Sequence, residues 1–312
     1  MIDDVSAYYQ SNLDNLTFKN RFHFASRLWL WNQNPNMEAL LKNYREEFCA
    51  NGDKKKFNNI LAELAHNSNG EIGTKSAAIL RRKYFNKYPN LRPALLLLFR
   101  LLFTETIYGI DARRELTNHI SEHELKKLNK NLGEDLLGAA TLSTHAANFL
   151  YLFHRFYKQD DNTNIQDYLY SLGKQYDLSD KTQLMLYVYL HTHCIIGETL
   201  FYKRRIEINK YSIYTKMIND LNQCLMNNYD SLNLDNKFEI LVCNRIMGSL
   251  CPSTDKVYEE AMNSVSNTGY FIVDRHNNNS ANGSSDLNSS EHRNVLCIMS
   301  ASEYSPTTKT IN

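Results

Sequence analysis

The stretch YLHTHCIIGET (189–199) sets two histidines, a cysteine and a glutamate within eight residues of an otherwise apolar run. A helix turns about 100° per residue. His191, Cys194, Ile195 and Glu198 therefore share a face, while His193 falls nearly opposite with Leu186, Tyr189, Ile196, Gly197 and Leu200. Two oppositely directed histidines cannot chelate one ion from a regular helix. His191, Cys194 and Glu198 could supply three zinc ligands, but the spacing matches no established zinc signature and HExxH is absent. No cofactor is expected; zinc through those three residues is the alternative. His193 lies on the more apolar stripe and is expected to be the buried histidine, with Gly197 admitting a close neighbour.

A second constellation is TLSTHAANFLYLFHRF (141–156), where Thr141, His145, Asn148 and Leu152 share a face. A buried imidazole or amide must be paired, so this stripe is expected to meet His193. The outcome is either a network that fixes helix register or a polar patch in a cavity, with His145 and His193 as candidate catalytic residues. Imidazole suits proton transfer because its ordinary pKa lies near neutrality.

The third constellation is SSEHRN (289–294) with VDRHN (273–277) before it. His292 and Arg293 at a helix start oppose the helix dipole, which suggests that they answer to groups beyond the helix. Arg293 could hold an anion or a carboxylate from another helix. Asp274 and His292 join the candidate catalytic set, and Asn148, Glu291 and Arg293 the candidate binding set. Trp29 and Trp31 in RLWLWNQ (27–33) read as an exposed edge that could stack a sugar or peptide.

Sharper motifs fail. GEIGTKS (70–76) lacks the adjacent Gly-Lys and preceding strand of a phosphate loop. Neither GxSxG nor GxGxxG occurs, and NSANGSSDLNSSE has too few acidic residues for a calcium loop.

The elements that must position these residues are helices. Apolar residues recur at helical spacing along most of the 312 residues, whereas 11 Gly and 5 Pro are too few for a turn-rich β architecture. The pattern predicts helices at 3–16, 20–33, 37–49, 54–66, 72–87, 92–109, 111–118, 121–130, 134–157, 163–172, 180–204, 212–228, 235–248 and 255–266. Only GYFIV (269–273) resembles a strand. The helical domain is expected over 1–274, followed by an Asn/Ser-rich loop (275–290), a C-terminal helix packing back on the domain (291–303) and a frayed tail (304–312). Segments 134–157 and 180–204 are apolar on most faces and must be surrounded by other helices. That requires an all-α, paired-helix array in two layers, with an α/α toroid favoured over an open helical-repeat solenoid.

With 35 basic and 34 acidic residues the chain has no global field for a polyanion, so nucleic acid is not the expected partner. The apolar run LRPALLLLFRLLF (91–103) is too short to span a bilayer, and His191, His193 and Glu198 make insertion of the longer run costly. No membrane partner is expected. Six cysteines without a CxxC pair fit free buried thiols and a cytoplasmic location. The expected function is a helical-repeat binding scaffold for a peptide or protein; the alternative is an enzyme with a polar cavity using histidine acid–base chemistry, with zinc dependence as a variant. The enzyme would be a hydrolase, lyase or transferase acting on a sugar-like or peptide ligand.

Overall fold

Helical spacing of the apolar residues is carried through into a chain that is all-α. The computed structural model describes residues 2–67, 76–157, 164–266, 270–273 and 287–311. In chain order the helices are α1 (Ile2–Ser11), α2 (Phe18–Asn32), α3 (Pro35–Cys49), α4 (Lys54–Asn67) and α5 (Ser76–Lys87). Next come α6 (Leu91–Tyr108), α7 (Arg113–Leu116), α8 (Glu122–Glu134), α9 (Leu136–Leu142), α10 (Thr144–Tyr157) and α11 (Ile165–Leu172). The last five are α12 (Lys181–Glu198), α13 (Tyr211–Asn227), α14 (Leu234–Met247), α15 (Thr254–Met262) and α16 (Leu287–Ala301). Among the described residues there is no strand. Ile272, in the segment that resembled one, makes a single antiparallel bridge with Val265. No described helix is long and apolar enough to cross a membrane.

Local chemistry explains the helix limits. Ser121 and Glu124 close a reciprocal capping box at the start of α8, which satisfies backbone donors left over by the first turn. Gly109 and Gly248 end α6 and α14 in the left-handed region. One expected helix is broken: 134–157 divides at Ser143, whose φ is 52°. The buried Ser143 hydroxyl donates to the Leu186 carbonyl of α12 at 2.6 Å, and this tertiary bond replaces helical continuity.

Contacts divide the chain into two units, unlike the single 1–274 domain read from the sequence. The first unit joins 1–41 to 199–308, and the second comprises 42–198 and 309–312. In the second unit, α6 packs on α4 and α10, and α10 packs on α12. In the first, α14 packs on α13 and α16, and α16 also covers α1 and α2. Helix α14 is buried along most of its length although it carries Asn236, Lys237, Glu239 and Asn244.

The C-terminal segment differs from its expectation in two respects. Helix α16 starts at Leu287 rather than 291. The segment after it does not fray: Tyr304, Thr307 and Ile311 are buried. Within the first unit, the Ser305 amide donates to the Trp31 carbonyl at 2.9 Å. Within the second, the Ile311 amide donates to the Ile107 carbonyl at 2.6 Å.

Candidate functional site

In the first unit, α2, α14 and α16 bring together two histidines, three carboxylates and an arginine. His23 of α2 donates through Nδ1 to the Glu291 carboxylate of α16, at 2.9 and 2.8 Å from its two oxygens. The His292 ring lies alongside His23, centroids 5.7 Å apart and planes 27° from parallel. His292 Nδ1 is 3.5 Å from Asp235 Oδ1, and its Nε2 is 3.7 Å from Glu239 Oε1. Asp235 and Glu239 sit one turn apart on α14, so both point to one side of that helix. Arg293 Nη2 donates to Asp235 Oδ2 at 2.8 Å.

Burial sorts the roles. Glu239 and Glu291 are only 2% and 3% exposed, whereas the His23 and His292 side chains are 31% and 37% exposed. The carboxylates form the floor and the imidazoles face outward. Burial would raise the Asp235 carboxyl, but bonding to His292 and the Arg293 charge outweigh it and hold the group at about 2. Desolvation and the neighbouring Arg27 charge lower His23 to about 4, against the upward pull of Glu291. His23 is therefore a neutral imidazole at neutral pH. Because the Nδ1–H donates to Glu291, the proton stays on Nδ1 and the Nε2 lone pair is left to accept another.

A strained turn adjoins this cluster. Leu200, Phe201 and Tyr202 have φ of 52°, 55° and 77°, a run of left-handed residues that L side chains rarely sustain. Thr199 fastens it: its Oγ1 accepts from the Tyr202 amide at 2.9 Å, and its carbonyl accepts from the Arg204 amide at 3.0 Å. The turn buries Tyr202 beneath the Arg27 guanidinium, whose carbon is 5.6 Å from the ring centroid.

The second unit holds the other histidines. His193 Nδ1 donates to Asn148 Oδ1 at 2.9 Å, so Asn148 is the stripe residue that His193 meets. Thr141 Oγ1 instead donates to the Leu137 carbonyl. His145 Nδ1 lies 3.3 Å from the Leu142 carbonyl, and its ring meets Phe85 edge-on. Burial and the Arg81 charge lower His145 to about 3.

The expected order of burial is reversed. His191 is 1% exposed, whereas His193 is partly exposed. His191 Nδ1 donates to the Tyr187 carbonyl at 3.0 Å, and the ring fills the space that Gly173 leaves by lacking a Cβ. Neighbour size, not the hydropathy of the stripe, decided which face turned inward. Cys194 is fully buried and its thiol is pushed up by that burial. Glu198 is buried as well. Among the described residues, no three or more His, Cys, Asp or Glu side chains are grouped so as to hold a metal ion.

Two other sequence expectations change. Trp29 and Trp31 are 2% and 0% exposed, not an exposed edge. Trp31 donates to Ser302 Oγ at 3.0 Å and packs against Tyr202 and Tyr304. The dipole argument for His292 and Arg293 lapses, because the earlier start of α16 places both beyond its first turn. Asp274 lies outside the described residues. Sequence reasoning missed His23, Asp235 and Glu239. His23 and Arg27 at i and i+4 in an apolar helix were the available signal.

Among protein-family models, curated proteins and solved structures, none matches this chain.

Proposed function

We propose that the protein is an enzyme in which His23, oriented by Glu291, acts as a general base, with His292 beside it as the second proton-transfer group. The observation that supports this is the Glu291–His23 pair: a nearly buried carboxylate bonded to a partly exposed imidazole. A base fixed in tautomer and orientation by a third group is the recurring arrangement for activating a hydroxyl, thiol or water. The reading covers hydrolysis, elimination and group transfer, each of which requires a proton removed at one atom and returned at another. His23 would remove the proton through Nε2, while Glu291 stabilises the imidazolium that forms. His292, between Asp235 and Glu239, would return a proton to the leaving group.

The test is turnover of chromogenic esters, glycosides and peptides between pH 4 and 9. His23→Gln should lower kcat/KM by about 10²-fold or more, with the unfolding midpoint retained. The wild-type rate should fall on the acid side as His23 protonates. Full activity in His23→Gln would remove the proposal.

A binding reading has its own observation. In the second unit a cleft of about 520 Å³ is lined by Ile79, Leu80, Leu137, Leu186, Tyr176 and Gln183, among others. Ile79 and Leu137 are 55% and 59% exposed, and apolar surface beside polar groups suits a peptide side chain. Selection from a random peptide library should enrich sequences whose binding is lost in Leu137→Glu. Enriched peptides that bind the variant equally well would overturn this second reading.

A further inference from the structure

We propose that Arg27 and Tyr202 form an anion subsite beside His23, holding a carboxylate or phosphate group of a small substrate. The inference rests on the acid–base reading of His23 for its link to turnover, but the subsite itself stands on separate observations.

Arg27 lies one turn after His23 on α2, so both side chains leave the same face of the helix. Its guanidinium is partly buried over the Tyr202 ring, and among the described residues it forms no ion pair. The other polar groups of the cluster already have partners. Arg293 neutralises Asp235, Glu291 is bonded to His23, and Glu239 faces His292. Arg27 is the cation of this cluster that has no carboxylate partner among the described residues.

Tyr202 supplies the second observation. It is 1% exposed, and its hydroxyl has no hydrogen-bond partner among the described residues. A buried hydroxyl without a partner is costly. Here it is set in place by a run of left-handed residues that is costly as well, and such strain collects at functional sites. Maintaining both is explained if a ligand oxygen accepts the hydroxyl bond. A guanidinium over a phenol ring whose O–H is unpartnered offers donors for an oxyanion: charge-assisted N–H bonds to a carboxylate or phosphate, joined by one neutral O–H bond. Held there, the anionic group would place the rest of a small substrate next to His23 and His292.

The probes are inorganic phosphate and malonate, titrated at constant ionic strength against chloride, with the His23 ring resonances observed by NMR and affinity measured by calorimetry. Saturable binding that shifts the His23 resonances is expected for one or both ions. Phosphate alone would indicate a phosphorylated substrate, and malonate alone a carboxylate. Arg27→Gln should weaken binding by about tenfold or more, and Arg27→Lys should retain part of it. Tyr202→Phe should weaken binding without lowering the unfolding midpoint, because the hydroxyl it removes has no partner in the fold. His23→Gln should still bind the ion, as judged by calorimetry. Binding that depends on Arg27 while His23→Gln keeps full turnover would retain the subsite and remove the acid–base reading. No binding above the chloride control, or equal affinity in wild type and Arg27→Gln, would overturn the subsite whatever the turnover.

Discussion

The Tyr304 hydroxyl donates to the Arg204 carbonyl at 2.6 Å and lies 3.3 Å from the Tyr202 carbonyl. The segment after α16 is thus tied directly to the left-handed turn that buries Tyr202. Backbone in that region relaxes toward ordinary φ unless its surroundings hold it. Tyr304→Phe removes the tie with little change in packing and should cost about 1–2 kcal/mol. Urea unfolding should show a lower midpoint with an unchanged slope. An unchanged midpoint would mean that Thr199 alone holds the turn.

Acid should weaken the fold before its carboxylates titrate. Histidines have a pKa of about 6.5 in an unfolded chain, but in the fold His23 is lowered to about 4 and His145 to about 3. Below pH 6.5 the unfolded state therefore binds more protons than the folded state. The stability these groups contribute is fully present above 6.5, falls with pH, and is lost as pH passes their folded values. Unfolding midpoints measured from pH 7.5 to 4.5 should fall in the wild type and fall less steeply in His145→Gln. Parallel slopes would contradict the assignment of His145 as a neutral buried imidazole.

Gly173 is fixed by a side chain rather than by its own backbone. Its φ is −52°, which any residue adopts, yet a Cβ there would lie 2.9 Å from His191 Cε1 and 3.3 Å from Tyr187 Cε2. Gly173→Ala should destabilise the second unit by about 1–3 kcal/mol. His191→Ala makes room, so the double variant should lose less than the sum of the two single changes. Additive losses in a double-mutant cycle would show that the clash is relieved elsewhere.

The helices were legible because their apolar spacing is a local property. The inner position of α14 was not legible from hydropathy. Its Asp235, Lys237 and Glu239 make it look like surface, although their partners lie on α15 and α16. His23 was hidden for the same reason: Glu291, which gives it meaning, is far away in the chain. The break at Ser143 followed from a bond to Leu186 that no local pattern encodes. The Asn148–His193 bond could be anticipated because helical angle alone put a polar stripe on an otherwise apolar helix. Which histidine of HTH turned inward depended on the missing side chain at Gly173, a fact of the neighbouring element.

The separation of His23 from Glu291, 268 residues along the chain, also sets a schedule for synthesis. At about 5–20 residues per second, α2 would leave the ribosome roughly 15–50 s before the helix that completes its pair. During that interval the whole of 42–198 emerges, and it holds most of its own unit in one uninterrupted stretch. The second unit can condense co-translationally, while α1 and α2 wait with Tyr9, Phe24, Trp29 and Trp31 uncovered. A nascent chain stalled before α13 would present those aromatic residues to chaperones, and the released chain would not.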